Sequence, residues 1–380
     1  MKVLFVDQTG QLGGGELSLL DIVRGTSHTA EVVLFSDGPF RKLLEEIAVQ
    51  VHLLTAGGAG EVRREAGIAS LLSAGPAFVE LRNKLAKIAK GFDVIYANSQ
   101  KAFLVSALAK RPGQPLIWHL RDMLQADHFS SIMRRVAVFA GNHAAELVIA
   151  NSQATLESLV ASGGKREKSI VIYNGISPDP FDAVSCSMVE ELRKELGWQG
   201  KFVVGAFGRL SPWKGQHVLI DAVAGLSGVH VAIIGDALFG ENEYVESLHT
   251  LVQKHALSDR VQFLGFRRDI PRLMRSIDII AHTATAPEPF GRVLVEGMLA
   301  SRPVIATRAG GAMEILRDGE TGILVTPGNA EELQKAIIRL KTDSDLLTQL
   351  ARQGRQSALS DFSVEKMTRS IDTTLTRFSR

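Results

Sequence analysis

Two glutamates, Glu288 and Glu296, are separated by seven residues in the segment PEPFGRVLVEGMLASRPVIATRAGGAMEILRDGETGILVTP at residues 287–327. Apolar residues between Gly291 and Ala300 recur at helical spacing, which puts Glu288 just before a helix and Glu296 on its second or third turn. The start of a helix offers free N–H groups to an anion, and a later carboxylate can bind vicinal hydroxyls. The pattern therefore suits a sugar nucleotide, although a dipole-stabilising Glu288 and a solvated Glu296 would also explain it.

Two cations, Arg209 and Lys214, lie where a predicted strand ends and a helix begins, in GRLSPWKGQHVLIDAV at residues 208–223. Ligands bind at the carboxyl ends of the strands in open α/β sheets. Two cations at that edge, near the helix start at Gly215, can hold a diphosphate and stabilise its charge as a leaving group. A helix-capping loop with two solvated cations is the alternative.

The Asp-x-Asp pattern often holds a metal ion at sites that bind sugar nucleotides. It occurs once, at Asp343 and Asp345. It lies between two predicted helices, where an aspartate at a helix start is an ordinary cap. We therefore expect a metal-independent site without a cofactor.

These segments resemble the donor site of retaining glycosyltransferases of family 4, which have the two-domain GT-B fold. The resemblance rests on EPFGRVLVE, SRPVIATRAGG and DGETGILVTPGN, covers the C-terminal half, and is weaker in the N-terminal half. It implies that the first glutamate and the following turn face the donor sugar, that the second glutamate holds the ribose, and that the two cations hold the diphosphate. The residues given these roles are Gly208, Arg209, Lys214, Glu288, Phe290, Gly291, Arg292, Val293 and Glu296.

The segment GFRRDIPRLM at residues 265–274 matches the family loop that cradles the nucleobase. Arg267 or Arg268 could stack on the base, and the backbone near Phe266 could read its edge. Gly235 and Asp236 end another strand at the same edge and are candidate wall residues, although a turn explains them equally well.

In the first half, QLGGGELSLLDIV places three glycines between a strand and a helix, so that the backbone can approach a phosphate or sugar. A dinucleotide-binding loop is the rival interpretation, but the Gly-x-Gly-x-x-Gly spacing is absent. The resemblance implies that this loop faces the donor diphosphate, through Gly14 and Gly15.

His119 ends the apolar run PLIWHL, and we expect it to point into an interdomain cleft and bind a sugar hydroxyl. A satisfied structural histidine is the alternative. The tripeptide NSQ follows a predicted strand twice, at Asn98 and Asn151, and both copies suit helix N-caps. Together with Asn174, these two asparagines could also bind an acceptor.

The elements that position these residues alternate between short apolar runs and helical patterns, as in parallel sheets built from βαβ units. We predict strands at residues 3–6, 32–35, 51–54, 94–97, 116–120, 148–150, 170–172, 202–207, 231–234, 261–263, 279–281, 304–306 and 322–325. The aperiodic segment 173–187 is predicted to be an interdomain hinge. The fold class is thus α/β. The resemblance to GT-B proteins implies two Rossmann-like parallel-sheet domains facing across a cleft, in which residues 1–175 bind the acceptor, 176–362 bind the donor, and a terminal helix at 363–380 packs back on the first domain.

Composition agrees with a soluble two-domain protein, since the 380 residues are 45% hydrophobic and 22% charged. A net charge of +2 argues against a general nucleic-acid binder, and a single cysteine, Cys186, excludes an internal disulfide and fits a reducing cytoplasm. The opening MKVLFVDQTG reads as a first strand rather than a signal peptide, and no apolar run is long enough to span a bilayer.

Charge is uneven along the chain, since residues 80–135 hold ten basic and four acidic residues. Such a face could contact anionic lipid at the inner side of the membrane or a lipid-diphosphate acceptor, although chance clustering on a solvated surface is the simpler explanation. The residues are Arg82, Lys84, Lys87, Lys90, Lys101, Lys110, Arg111, Arg121, Arg134 and Arg135, against Glu80, Asp93, Asp122 and Asp127.

From the resemblance we predict a retaining hexosyltransferase that moves glucose or a related hexose from a UDP-sugar to a saccharide or lipid-linked acceptor hydroxyl in polysaccharide or glycoconjugate synthesis. Closure about the hinge would bring His119 and the Gly14 loop over the donor and exclude water. A sugar-nucleotide epimerase, a phosphorylase of the same fold and a non-catalytic sugar-nucleotide-binding subunit are the alternatives.

Overall fold

The computed structural model describes residues 1–55, 75–124, 130–237 and 241–378, and the chain forms two compact units. Unit 1 comprises Met1–Gly175 and Val364–Arg380, and unit 2 comprises Ile176–Ser363. Asp127, which belongs to the basic segment, and residues 379–380 of the predicted terminal helix lie outside the described residues.

Unit 1 is built on a seven-stranded parallel sheet with the order β3-β2-β1-β4-β5-β6-β7. Its strands are β1 (Lys2–Asp7), β2 (Thr29–Leu34), β3 (Gln50–Leu53), β4 (Val94–Ala97), β5 (Leu116–Leu120), β6 (Leu147–Ala150) and β7 (Ser169–Val171). Every residue of β4, β5 and β6 is buried, because helices cover both faces of the sheet. These strands therefore read as continuous apolar runs in the sequence.

The helices of unit 1 follow the strands in βα order. They are α1 (Gly14–Gly25), α2 (Pro39–Glu46), α3 (Gly75–Ala89), α4 (Gln100–Ala109), α5 (Ser131–Ala144) and α6 (Gln153–Ala161). Leu19 of α1 and Phe40 of α2 pack into one apolar cluster, whereas Leu85 of α3, Phe103 of α4 and Ala137 of α5 pack into a second. The parallel sheet thus has a separate core on each face.

Unit 2 repeats the plan with a six-stranded parallel sheet of order β10-β9-β8-β11-β12-β13. Its strands are β8 (Phe202–Phe207), β9 (Val229–Ile234), β10 (Val261–Gly265), β11 (Ile279–His282), β12 (Val304–Thr307) and β13 (Ile323–Val325). Its helices are α7 (Asp179–Asp182), α8 (Cys186–Glu195), α9 (Gln216–Ala224), α10 (Asn242–Lys254), α11 (Ile270–Arg275), α12 (Arg292–Leu299), α13 (Ala312–Ile315), α14 (Ala330–Thr342) and α15 (Ser344–Asp361). None of the helices in the described ranges is both long and apolar enough to cross a membrane.

The predicted hinge at residues 173–187 is partly helical. The two units divide between Gly175 and Ile176, while α7 and the start of α8 occupy much of the remaining segment. Pro178 precedes α7 and a second proline lies in its first turn, which fixes the backbone for a helix start. A helix of four residues is too short to show an apolar period, so the sequence did not reveal it.

The terminal helix α16 (Val364–Thr376) belongs to unit 1, where it packs against α1. Met367, Ile371 and Leu375 recur every four residues and join the apolar cluster of α1. The Asp372 carboxylate accepts hydrogen bonds of 2.7 Å from the Thr26 hydroxyl and the Ser27 backbone N–H. The last helix is thus part of the core of unit 1.

Replacing Ile371, which is fully buried, with alanine should lower the free energy of unfolding by about 2–5 kcal/mol because it leaves a cavity under α1. Arg369→Ala on the exposed side of α16 is the control and should change it by less than about 0.5 kcal/mol. Urea unfolding followed by circular dichroism measures both. Equal effects of the two substitutions would contradict the packing of α16.

Candidate active site

The loops that follow β8, β9 and β10 meet at the carboxyl edge of the unit 2 sheet. The Gly208 N–H donates to the Ile234 carbonyl at 2.9 Å, and the Gly235 N–H donates to the Gly265 carbonyl at 2.9 Å. A Cβ atom on Gly235 would lie 1.9 Å from the Gly208 oxygen, so only glycine fits there. Asp236 also lies in this edge, and its carbonyl accepts from the Leu210 N–H at 3.0 Å.

The two predicted diphosphate ligands share an aromatic neighbour, Trp213. The Lys214 Nζ lies 4.5 Å and the Arg209 Cζ 5.9 Å from the centroid of the Trp213 ring. Both distances are within the range of cation–π attraction. Gly215 follows with φ of +70°, and a Cβ there would lie 2.0 Å from the Thr283 carbonyl oxygen. The turn therefore places both cations at the sheet edge, with a tryptophan that sequence reasoning missed.

The Glu288 carboxylate lies between Lys214 and a histidine that the sequence analysis did not identify. The Lys214 ammonium forms an ion pair with Oε1, and the Nε2 atom of His282 lies 3.1 Å from Oε2. Glu288 and His282 are 5% and 7% exposed. His282 ends β11, six residues before the glutamate, so its place at a strand end was the available signal.

Burial controls the protonation of His282 and Lys214. Burial, followed by repulsion from Lys214, lowers the pKa of His282 to about 3, so the imidazole is neutral near pH 7. Burial, followed by repulsion from Arg209, lowers the pKa of Lys214 to about 7. The Glu288 carboxylate opposes the second shift because it stabilises the charged amine. An added anion beside Lys214 would act in the same direction.

The Gly-Gly turn after β12 holds Glu288 by its backbone. The Gly311 N–H donates to the Glu288 carbonyl at 2.9 Å. Gly310 has φ of +58°, and a Cβ there would lie 2.3 Å from the same carbonyl oxygen. A Cβ on Gly311 would lie 2.5 Å from the Phe290 carbonyl oxygen. The glycines of the RAGG motif thus let the turn after β12 lie directly on the loop that contains Glu288 and Phe290.

Phe290 differs from its expected role, because its side chain is 3% exposed and meets the Phe362 ring edge-on at 5.8 Å. The ring packs in the interior of unit 2, so the side chain does not face a ligand site. Gly291, with φ of +95°, is the N-cap of α12, and Val293 follows in its half-buried first turn. On the same helix the Arg292 Nε lies 3.3 Å from the Glu296 Oε1, so Glu296 is ion-paired.

The predicted nucleobase loop has one constrained and two exposed residues. Arg267 donates to both oxygens of Asp269, from Nε at 2.8 Å and from a terminal nitrogen at 2.7 Å. Phe266 is 69% exposed, and Arg268 is exposed as well. Phe266 is therefore the more prominent stacking surface of this loop, whereas the guanidinium of Arg267 is held by Asp269.

In unit 1, Asn98 and Asn174 belong to a buried polar network instead of lining a cleft. The Asn98 amide donates to Asp7 at 2.5 Å and accepts from the Arg121 Nε at 2.5 Å. Another Arg121 nitrogen donates to the Asn174 Oδ1 at 2.9 Å, which also accepts from the Ser18 hydroxyl at 3.0 Å. Asn98 and Asn174 are 1% and 3% exposed, so the expected acceptor contacts are replaced by internal ones.

The second NSQ motif is a helix cap. Ser152 accepts from the Thr155 N–H at 3.0 Å, and the Asn151 Oδ1 accepts from the Thr155 hydroxyl at 2.9 Å. Asn151 is 3% exposed. Ser99 of the first motif occupies the N-cap of α4 without a side-chain hydrogen bond to the helix. The capping interpretation therefore holds for one motif of the two.

His119 is fully buried in β5, and its contact with a sugar hydroxyl stays a prediction. Its Nδ1 atom lies 2.5 Å from the Tyr96 hydroxyl. Burial, followed by repulsion from Arg121, lowers the pKa of His119 well below its usual value, so the ring is neutral. Position at a strand end thus predicted the right edge of the sheet but not the burial of the ring.

The glycine loop of unit 1 carries a carboxylate that the sequence analysis left without a role. Gly14 begins α1 and is exposed, while a Cβ on Gly15 would lie 3.2 Å from the Arg121 Cδ. The Glu16 Oε2 would lie 2.7 Å from a Cβ on Gly13, so this carboxyl folds back over the loop. Burial, followed by repulsion from Asp7, raises the pKa of Glu16 to about 7.

Asp343 is the N-cap of α15, where its side chain accepts from the Leu346 N–H at 2.9 Å. The first aspartate of the Asp-x-Asp pattern thus has the predicted capping role. In the described ranges no group of three or more histidine, cysteine, aspartate or glutamate residues is placed to hold a metal ion. The metal-independent reaction itself remains a prediction.

Comparison with known proteins identifies the family. A model described as Glycosyl transferases group 1 matches residues 188–357, and one described as Glycosyltransferase Family 4 matches residues 12–180. The crystal structure of Anabaena HepE in complex with UDP and glucose is 44% identical, with a TM-score of 0.90, over 99% of this chain and 100% of HepE. The chain belongs to glycosyltransferase family 4. The expected GT-B fold with two Rossmann-like parallel-sheet domains is thereby confirmed.

Relatives with other names match this family 4 chain over a shorter length. The lipopolysaccharide core biosynthesis glycosyltransferase LpsE of Rhizobium meliloti is 36% identical over 44% of this chain and 47% of LpsE. Spore coat protein SA of Bacillus subtilis is 34% identical over 54% of this chain and 58% of that protein. The chain thus spans about half the length of these curated relatives.

A methyl group at Gly310 should destabilise unit 2 of this family 4 protein. Gly310→Ala should lower the free energy of unfolding by more than Gly319→Ala, which also has positive φ but no neighbour within 4 Å of a new Cβ. The control should lose about 1–2 kcal/mol through its backbone alone. Urea unfolding of both variants measures the difference, and equal losses would contradict the close approach of Gly310 to Glu288.

Replacing Glu16 with glutamine should stabilise the protein in a pH-dependent way. Because the folded-state pKa is raised from 4.5 to about 7, ionisation of Glu16 increasingly favours the unfolded chain as the pH rises through this range, and the effect is complete above about pH 7. At low pH both states are protonated. The gain from Glu16→Gln should be small at pH 5 and reach about 3 kcal/mol at pH 8.5. Urea unfolding at the two pH values measures it, with the exposed Glu365→Gln as control. A gain that does not grow with pH would contradict the burial of this carboxyl.

Proposed function

We propose that this chain transfers a hexose from a UDP-sugar to a hydroxyl of a saccharide or lipid-linked acceptor, in polysaccharide or glycoconjugate synthesis. The observation that carries the proposal is the pair of cations on Trp213, next to the Glu288 carboxylate at the carboxyl edge of the unit 2 sheet. The near-complete match to HepE, whose crystal structures contain UDP with glucose and UDP-glucose, supports uridine and glucose as the donor components.

In this proposal Arg209 and Lys214 bind the diphosphate and neutralise the negative charge that it gains when the bond to the sugar C1 breaks. Two preorganised cations in a partly dry site stabilise that charge more strongly than water does, because little solvent must reorganise. Burial lowers the pKa of Lys214 because it disfavours the charged amine, and a bound diphosphate would favour the charged form again. No metal ion is required by this arrangement.

Glu288 and Glu296 have different proposed partners. Glu296 lies on the second turn of α12, where it would accept hydrogen bonds from the ribose hydroxyls, as the family resemblance implies. Glu288 lies before the helix, and we propose that it accepts hydrogen bonds from the donor sugar. The N–H groups in the first turn of α12 are available to the donor beside it.

We further propose that the reaction retains the configuration at C1 by a front-face displacement. The acceptor oxygen forms its bond to C1 as the bond from C1 to the phosphate oxygen breaks, and the departing phosphate takes the acceptor proton. The ion pair with Lys214 holds Glu288 in place as a hydroxyl ligand. Trapping of a covalent glycosyl adduct on Glu288 would contradict this mechanism.

Unit 1 is proposed to hold the acceptor, and the protein is proposed to act in the cytoplasm with peripheral contact to the inner face of the membrane through residues 80–135. Support comes from the single cysteine and the basic excess of that segment. Part of that excess is used internally, because Arg121 binds Asn98 and Asn174, and Lys110 binds Glu146 at 3.1 Å. The contact must therefore rest on the remaining cations.

Lys214→Ala should lower kcat/KM for turnover of the UDP-sugar. The expected loss of transition-state stabilisation is about 2–4 kcal/mol, by analogy with loss of an oxyanion donor. Lys335→Ala, which removes an exposed lysine of α14, is the control and should leave turnover unchanged. The assay follows UDP release in the presence and absence of acceptor sugars. Normal turnover by Lys214→Ala would contradict the diphosphate assignment, and release of UDP without transfer to any acceptor would contradict the transferase proposal.

A further inference from the structure

Helix α5 of unit 1 carries apolar side chains on two opposite sides. Ile132, Val136 and Phe139 are 45%, 46% and 66% exposed. At 3.6 residues per turn these three positions fall within about 60° of one another on the helix surface. The residues that turn toward the core are Ala137, Val138 and Gly141. A surface helix ordinarily presents polar residues to solvent, so the outer side of α5 is an exposed apolar stripe.

Two basic residues accompany this stripe. His143 continues it by one turn, and its ring stacks on Phe139 with the centroids 4.3 Å apart. Arg135 is exposed at the flank of the stripe. Helix α5, with the sequence SIMRRVAVFAGNHA, contains no acidic residue. We call the surface formed by Ile132, Arg135, Val136, Phe139 and His143 the α5 face; it is apolar in the middle and basic at its edge.

Helices α3 and α4 also expose apolar side chains and carry more basic than acidic residues. Val79 of α3 and Leu108 of α4 are 56% and 58% exposed. The Arg82 Nε on α3 donates to the Leu108 carbonyl at 2.9 Å, so these exposed groups are contiguous. Helix α4 packs against both α3 and α5. Together, the three helices carry six lysines and arginines and a single acidic residue, Glu80.

We propose that the α5 face docks on an anionic phospholipid surface. Aromatic and aliphatic side chains that project from a helix with basic flanks bury at the boundary between headgroups and acyl chains, and each nearby cation adds attraction to anionic lipid. The near absence of carboxylates on α3, α4 and α5 favours this occupant over a basic or neutral protein partner, because charge complementarity requires an acidic surface.

The position of α5 connects this docking to the sheet edge. Helix α5 follows β5, so its N-terminal end, with Ile132, lies at the carboxyl edge of the unit 1 sheet. The network of Asp7, Asn98 and Arg121 lies at that same edge. Docking through the α5 face would hold this edge near the lipid surface, where a lipid-linked acceptor would be found. Lipid docking of the α5 face specifies the peripheral membrane contact of the proposed function and rests on it, as does this last step.

Sedimentation of the full chain with vesicles tests the proposal. Vesicles of phosphatidylcholine with about one-quarter phosphatidylglycerol should bind the protein at least tenfold more tightly than phosphatidylcholine alone, and added salt should weaken the binding. The double variant Val136→Glu/Phe139→Glu should lose more than tenfold in binding. Arg135→Gln should lose about fivefold, the ratio that corresponds to about 1 kcal/mol per cation. Ile338→Glu, at a position on α14 that is 41% exposed, is the matched control and should bind like the unchanged protein.

Absence of binding to the anionic vesicles, or an equal loss in Ile338→Glu, would overturn the proposal. A dimer in solution that the double variant dissociates, without vesicle binding, would overturn it in favour of a second copy of this chain. Calorimetric titration of the same preparations with UDP separates this inference from the proposed function. Vesicle binding without UDP binding would support lipid docking of the α5 face and contradict the proposed UDP-sugar donor. UDP binding without vesicle binding would contradict the docking and support the donor.

Discussion

Three approaches of backbone to backbone, each too close for a Cβ atom, hold the loops at the carboxyl edge of the unit 2 sheet. Gly235 lies against Gly208, Gly215 against Thr283, and Gly310 against Glu288. Each contact joins two loops from different strands, so the position of one loop determines the next. Because the main chain is fixed in this way, Lys214 and Glu288 meet although they are far apart in sequence. The charged groups of the candidate site therefore depend on glycines that carry no chemistry themselves.

The charged groups also depend on one another through burial. Glu288 is nearly inaccessible to water and would be costly to ionise alone, but the Lys214 ion pair compensates for that cost. His282 stays neutral beside the same carboxylate, so it adds no charge to the site. Burial and repulsion from Arg209 disfavour the charged form of Lys214, while both cations lie beside the Trp213 ring at the edge of the sheet. Such a group is ready to accept an anion with little rearrangement.

Much of the fold follows from the sequence because parallel strands buried on both faces are continuous apolar runs. Strands β4, β5 and β8 begin and end where those runs predict. The pairing of Arg209 and Lys214 with one sheet edge was also predictable from strand-to-helix boundaries. The burial of individual side chains was not predictable in this way, since His119 and Phe290 are both buried. Trp213, His282 and Glu16 were missed because their roles depend on side-chain direction and burial, which no periodic pattern records. Asn98 and Asn174 are held by Arg121, a contact that no local pattern encodes.

We propose that the edge of unit 2 binds uridine diphosphate through Arg209 and Lys214 without a metal ion. Calorimetric titration of the full chain with UDP, GDP and ADP, first in a chelator and then with magnesium, measures this binding. We expect selective binding of UDP in the chelator, with little gain from magnesium. Binding of none of the three nucleotides, or binding that appears only with magnesium, would contradict it.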